Sequence, residues 1–190
     1  MGGGDKSLRP IGGRTALEWI IDRLTPQVVR VILNANGDPR RFDDFHLPVV
    51  ADSLPNNPGP LAGVLAALDW AASTDPSFTW VMTLPGDVPF IPRDLVSRLH
   101  AACRVNDATL ACAASGNRSH PVIALWPIGI RDELRQAVAD RGIRKVETFT
   151  QQYRRATVAW PVMAVDPFFN VNTPDDLAEA NRLIVNYHDL

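Results

Sequence analysis

The stretch that most constrains the fold is Thr79 to Pro92, which reads Thr-Trp-Val-Met-Thr-Leu-Pro-Gly-Asp-Val-Pro-Phe-Ile-Pro. Trp80 to Leu84 is a short apolar run of the kind that forms a strand buried on both faces. Pro85 and Gly86 end it, because proline cannot donate to a ladder and glycine permits a sharp turn. Asp87 therefore stands just past the C-terminal end of a strand, where open α/β sheets bind ligands. Two readings are open for this carboxylate: it holds a metal ion, or it satisfies the amides of its own turn.

Around this stretch, apolar runs alternate with helical patterns. Leu17, Ile20, Ile21 and Leu24 recur at helical spacing, so Ala16 to Leu24 is an amphipathic helix halted by Thr25-Pro26. Strands are expected at Val28 to Leu33, Val49 to Ala51, Thr109 to Ala114, Val122 to Trp126 and Ala156 to Val162. Further helices are expected from Pro60 to about Ala72, from Arg93 to Cys103, from Ile130 to Ala139 and from Arg144 to Gln151. The alternation predicts an α/β fold: a doubly wound, mostly parallel, Rossmann-like sheet with helices on both faces, in one domain spanning 1–190. A hydrophobic content of 46% is ample for such a core.

A net charge of −2 with scattered lysines and arginines offers no groove for nucleic acid and no basic face for a membrane. Cys103 and Cys112 have no metal-ligand spacing and form no disulfide framework, which points to a reducing cytoplasm. No apolar run reaches the ~18 residues of a membrane span.

Several strand ends carry polar groups. Val28–Leu33 runs into Asn34-Ala35-Asn36-Gly37, whose amides either read a base or shape a turn. Val49–Ala51 ends at Asp52. Gly2 to Lys6 is a glycine-rich loop closed by a lysine, either a phosphate cradle or a flexible terminus; Asp5 rules out a Walker A loop. Gly63 falls inside a helix, where glycine costs ~1 kcal/mol against alanine, so something approaches it closely. His120 lies in an expected loop, Ser115 to Pro121, and either contacts a ligand or stabilises the loop. Asn170 and Asn172 alternate along an extended segment and so point the same way. That segment leads into a terminal helix with Thr173 as cap, Pro174 in the first turn and Asp175 and Asp176 against the dipole. A magnesium ion takes one or two carboxylates plus substrate phosphates, so Asp87 with a triphosphate makes a sensible site. Transfer at phosphorus then needs positioning, a metal and a cation such as Lys6.

Taken in order, Gly-Gly-Gly-Asp-Lys at 2 to 6, Asn34-Ala-Asn36, Asp52-Ser, Pro58-Gly-Pro-Leu-Ala-Gly63, Pro85-Gly-Asp87-Val-Pro-Phe-Ile-Pro92, His120-Pro-Val-Ile-Ala-Leu125 and Phe169-Asn-Val-Asn-Thr-Pro174 span nearly the whole chain. In this arrangement the sequence resembles the molybdenum cofactor guanylyltransferases, the MobA family. The resemblance implies transfer of GMP from Mg-GTP to the molybdopterin cofactor, giving the guanine dinucleotide form and pyrophosphate. By position, Asp87 would hold Mg2+, Lys6 would meet the GTP phosphates, and Asn34 and Asp52 would lie in the nucleotide site. Pro58, Gly59, Gly63, His120, Asn170 and Asn172 would face the pterin acceptor. The resemblance further implies a monomer, with molybdoenzymes or their chaperones downstream. Alternatives are a related nucleotidyltransferase using CTP or a sugar phosphate, and a non-catalytic relative that only binds nucleotide or cofactor. The family opens with a strand leading into Leu-Ala-Gly-Gly, which this sequence lacks. The expectation is that Met1 is internal and that such a strand lies between Val28–Leu33 and Trp80–Leu84.

Overall fold

The computed structural model describes residues 5–54 and 59–186. Gly2 to Gly4 and Pro58, named above, lie outside the described residues.

A small antiparallel pair, β1 (Pro10–Ile11) and β2 (Arg14–Thr15), leads into α1 (Ala16–Leu24). The helix starts there because Thr15 and Glu18 form a reciprocal capping box, with the Thr15 amide 2.6 Å from Glu18 Oε2 and the Glu18 amide 3.1 Å from Thr15 Oγ1. Next come β3 (Leu33–Asn34) and β4 (Val49–Val50), paired in parallel, and then α2 (Pro60–Thr74). The remainder is β5 (Trp80–Thr83), α3 (Leu95–Val105), β6 (Leu110–Ser115), β7 (Arg118–Pro127), α4 (Arg131–Ala139), α5 (Val146–Thr150), β8 (Arg155–Trp160) and α6 (Pro174–Asn186).

The main sheet has the order β5-β7-β6-β8. Helices cover both faces, as the alternation predicts, but the sheet is mixed. β6 and β8 pair in parallel, whereas β7 runs antiparallel to both β5 and β6. The reason is local. Ser115 to Pro121 is not a loop but the tip of a two-residue hairpin, with Gly116 at φ 51° and Asn117 at φ 61°. Positive φ at both central residues is the turn that matches the twist of a hairpin, and Gly-Asn satisfies it.

Period-two alternation along β6 and β7 divides the core. Ala111, Ala113, Ile123 and Leu125 face α1 and α3, packing with Ile20, Leu95 and Leu99. Leu110, Cys112, Ala124 and Trp126 face the other way, against Leu61, Leu65 and Leu68 of α2 and Leu134 of α4. Trp126 is fully buried, and its indole N–H is satisfied by Thr83 Oγ1 at 2.8 Å.

The segment expected as a strand from Val28 to Leu33 forms a ladder only at Leu33–Asn34. Among the described residues no backbone hydrogen bond joins 28–34 to β5. The space along these facing edges holds two cavities, of about 390 and 470 Å3. No helix of the described residues is long and apolar enough to cross a membrane.

Candidate active site

The smaller of these cavities opens at the strand ends, with Asn34 and Asp52 in its lining together with Ser7 and Gly86, the chain neighbours of Lys6 and Asp87. It is lined by Asp5, Ser7, Asn34, Asp52, Gly63 and Gly86, among others.

One wall is the Asp87 turn. A Cβ on Gly86 would lie 3.1 Å from Ser7 Cβ, so glycine is what lets the Lys6 turn seat against the end of β5. Asp5 caps that turn: its Oδ1 accepts from the Ser7 amide at 3.2 Å and from the Ser7 hydroxyl at 2.8 Å. The segment before α6 closes over from the other side. Asn170 Nδ2 donates to Asp87 Oδ1 at 3.2 Å, the Val171 amide donates to the Asp87 carbonyl at 2.8 Å, and Lys6 Nζ donates to Asn172 Oδ1 at 2.9 Å. Lys6, Asp87, Asn170 and Asn172 thus form one constellation, although Lys6 and Asn172 are 166 residues apart in the chain. Asn172 is fixed in turn by the start of α6, where Asp176 Oδ2 accepts from the amides of Asn172 and Thr173 at 3.0 and 2.8 Å. Those amide bonds hold the Asp176 carboxyl below its ordinary range.

Burial is the larger influence on Asp87 and pushes its pKa up, against the opposing effects of Asn170 and the Lys6 charge. A half-buried carboxylate with one amide neighbour is under-solvated, a state that a cation relieves. Among the described residues no group of three or more His, Cys, Asp or Glu side chains can hold a metal by itself. Asp87 suits magnesium, which combines one or two carboxylates with phosphate oxygens.

The opposite wall belongs to β3, β4 and α2. Asn34 Nδ2 donates to Asp52 Oδ1 and to the Val50 carbonyl, both at 3.0 Å. Asn36 Nδ2 donates to Asp52 Oδ2 at 2.9 Å, while Asn36 Oδ1 accepts from the Asp52 amide at 2.9 Å. The two asparagines therefore lock the Asp52 carboxylate in one orientation. Gly63 is the close approach its helical position implied: a Cβ there would lie 2.4 Å from Asn34 Oδ1. Arg41 ties this wall to the Lys6 turn, donating to the Asn36 carbonyl at 2.7 Å and pairing with Asp5 at 3.4 Å.

Two expected acceptor residues stand differently. Gly59 takes φ 97° as the residue before α2, a conformation that favours glycine. His120 does not face the cleft. It is 8% exposed within β7, with its ring 5.0 Å from that of Phe168, because hairpin pairing turns it into the interior.

Solved structures share this fold. At 15% identity, the 4-diphosphocytidyl-2C-methyl-D-erythritol synthase of Anaerococcus prevotii superposes with a TM-score of 0.74, over 96% of this chain and 92% of its own. Molybdopterin-guanine dinucleotide biosynthesis protein A of Archaeoglobus fulgidus gives 0.71 at 21% identity, over 97% and 92%. At these identities the likeness establishes the fold; the class, a nucleotidyltransferase, follows from the family match. The family profile described as the MobA-like NTP transferase domain matches residues 1–158. Molybdenum cofactor guanylyltransferase of Rhodopseudomonas palustris strain HaA2 is 56% identical over 189 residues, covering 100% of this chain and 88% of that protein. Its counterpart in Nitrobacter hamburgensis is 57% identical over 183 residues, covering 96% and 88%. The chain belongs to the MobA-like NTP transferase family, among the molybdenum cofactor guanylyltransferases.

Proposed function

We propose that this chain transfers GMP from GTP to the molybdopterin cofactor, releasing pyrophosphate. The observation that carries the reading is two differently built clusters beside one cavity: Lys6, Asp87, Asn170 and Asn172 next to its lining residues Ser7 and Gly86, and the Asn34–Asp52–Asn36 lock with Gly63. In this reaction a phosphate oxygen of the acceptor attacks the α-phosphorus of GTP, and the bond from that phosphorus to the bridging oxygen of the β-phosphate breaks.

The residues divide the labour. Lys6 offsets charge on the triphosphate and on the departing pyrophosphate, a point charge at the place where charge develops. Asp52, held rigid by two amides, accepts hydrogen bonds from the nucleoside. Gly63 keeps Asn34 from being pushed off that carboxylate. Asp87 would hold Mg2+ together with the phosphates, and the ion would neutralise and orient the phosphate oxygens. Asn170 and Asn172 reach from the segment before α6 toward the acceptor while contacting Asp87 and Lys6. In this arrangement the two substrates meet where the two walls meet.

The test is a nucleotide competition with the purified chain, magnesium and molybdopterin. GTP should yield the dinucleotide and one equivalent of pyrophosphate, and CTP should neither support transfer nor inhibit it at equal concentration. Transfer from CTP at a comparable rate would move the reading to a cytidylyltransferase, and tight GTP binding without turnover would make the chain a binding protein.

A further inference from the structure

We propose that Ser115, His120 and Asp166 act as a positioning strut for the acceptor-binding segment that carries Asn170 and Asn172, a role that rests on the acceptor assignment just given. Ser115 and His120 are 2% and 8% exposed at the paired ends of β6 and β7. Burying two polar side chains is unfavourable unless they are hydrogen-bonded. Here Ser115 Oγ lies 2.9 Å from His120 Nε2 and 2.7 Å from Asp166 Oδ1.

A serine hydroxyl has one proton to give. The carboxylate of Asp166 is an acceptor only, so the proton goes to Asp166 and Ser115 Oγ accepts from the Nε2–H of His120. Burial lowers the His120 pKa, which favours the neutral ring that this tautomer requires. Serine is therefore the middle member of the chain, between imidazole and carboxylate. In a nucleophilic triad the imidazole takes the serine proton; here it gives one, and the hydroxyl is committed elsewhere. The cluster has the polarity of a structural relay and not of a hydrolase.

What the relay holds is the entry to the cleft segment. Asp166 Oδ1 also accepts from the Phe168 amide at 2.9 Å, and the Asp166 carbonyl accepts from the Phe169 amide at 3.0 Å. The Phe168 ring is wedged between His120 and Trp160, at 5.0 and 5.4 Å. Two residues later Asn170 meets the Asp87 carboxylate, and two beyond that Asn172 meets Lys6. The segment is thus pinned by the strut at one end and by the Asp176 cap at the other. Misplacing a substrate-positioning group by ~1 Å is enough to cost ~100-fold in rate, so a bond on β6 bears on chemistry at β5.

The experiment compares Ser115→Ala, Asp166→Ala and Asp166→Asn with Asn172→Ala in steady-state transfer, reading the KM for molybdopterin and for GTP separately. Asparagine at 166 keeps an oxygen that can accept from both Ser115 and the Phe168 amide; alanine does not. Expected are a rise in acceptor KM of about tenfold in Ser115→Ala and Asp166→Ala, the scale of one lost hydrogen bond to a charged group, and GTP KM within twofold. Asp166→Asn should stay within about threefold of the parent, and Ser115→Ala combined with Asp166→Ala should be no worse than Asp166→Ala alone, since both cut one relay. If Ser115→Ala does not fold, the contrast between the two Asp166 variants decides. Parental acceptor KM in Ser115→Ala and Asp166→Ala, with Asn172→Ala impaired, overturns the strut and leaves the acceptor assignment standing. An equal rise in GTP KM also overturns it. Unchanged acceptor KM in Asn172→Ala overturns the acceptor assignment, and the strut with it.

Discussion

β6 lies between two ladders, with Leu110, Ala111 and Ala113 all 0% exposed, whereas 28–34 runs beside β5 with no ladder between them and cavities of about 390 and 470 Å3 alongside. The first region is held by non-directional packing, which tolerates no lost volume. The second is held by a chain of side-chain hydrogen bonds running from Asn34 through Asp52, Asn36 and Arg41 to Asp5. The difference teaches where binding specificity can be stored. A packed wall can be swapped for another of equal volume, but a hydrogen-bonded one fixes the direction of each lone pair.

Four tests break or sharpen this contrast. The largest effect belongs to Asp87→Asn, which keeps size and loses charge; transfer should fall by at least about 10³-fold, equivalent to ~4 kcal/mol. The fold should respond in the opposite sense. Burial raises the Asp87 pKa, so the folded chain disfavours the ionised carboxylate and loses stability as pH rises through that pKa. In magnesium-free buffer at pH 7 the variant should therefore melt above its parent in a thermal scan, and the margin should shrink as the pH is lowered. Turnover near that of the parent at saturating magnesium and GTP would place the metal elsewhere.

The packed region is probed next. Leu99→Ala, at a site 0% exposed, should cost about 2 to 5 kcal/mol in denaturant unfolding. Val31→Ala, half-buried with one side on the core and the other on the cavities, should cost under ~1 kcal/mol because it is only partly enclosed. Equal costs would erase the contrast. Third, Asn170→Ala and Asn172→Ala should each weaken the acceptor by about 1.5 to 3 kcal/mol, read from equilibrium binding, while GTP affinity holds. A fall in GTP affinity alone would exchange the two walls. The smallest effect is that of Gly63→Ala. The new methyl would sit 2.4 Å from Asn34 Oδ1 and must displace it. GTP affinity should drop by about 1 kcal/mol, the worth of one hydrogen bond. Helix stability should not fall, since alanine is the better helix former by ~1 kcal/mol.

The residues legible in the sequence were those placed by local rules. Pro85-Gly86 ends a strand wherever it occurs, so the position of Asp87 follows, and alternation puts Asn170 and Asn172 on one side. The cost of glycine within a helix likewise pointed to a close neighbour at Gly63. Long-range pairing was not legible. Nothing local says that Ser115 reaches Asp166, 51 residues on, or that Arg41 bridges to Asp5. The hairpin at Gly116-Asn117 did carry a signal, a two-residue turn of the right chemistry, but Pro121 within the following run argued against a continuous strand. It is accommodated beside the register shift between Cys112 and Ala113. Val28 to Ile32 has the composition of a strand and no ladder, because a strand is a property of two segments and not of one.

The contact between Lys6 and Asn172 also sets a clock. Elongation proceeds at ~5 to 20 residues per second, so about 8 to 30 s separate the synthesis of these two side chains. Until the later one emerges, the lysine and the Asp87 turn lack the segment that spans them. A ribosome-bound chain stalled before residue 170 therefore has the cavity lining, which runs from Asp5 to Val122, but neither the Asn170 contact to Asp87 nor the Asn172 contact to Lys6.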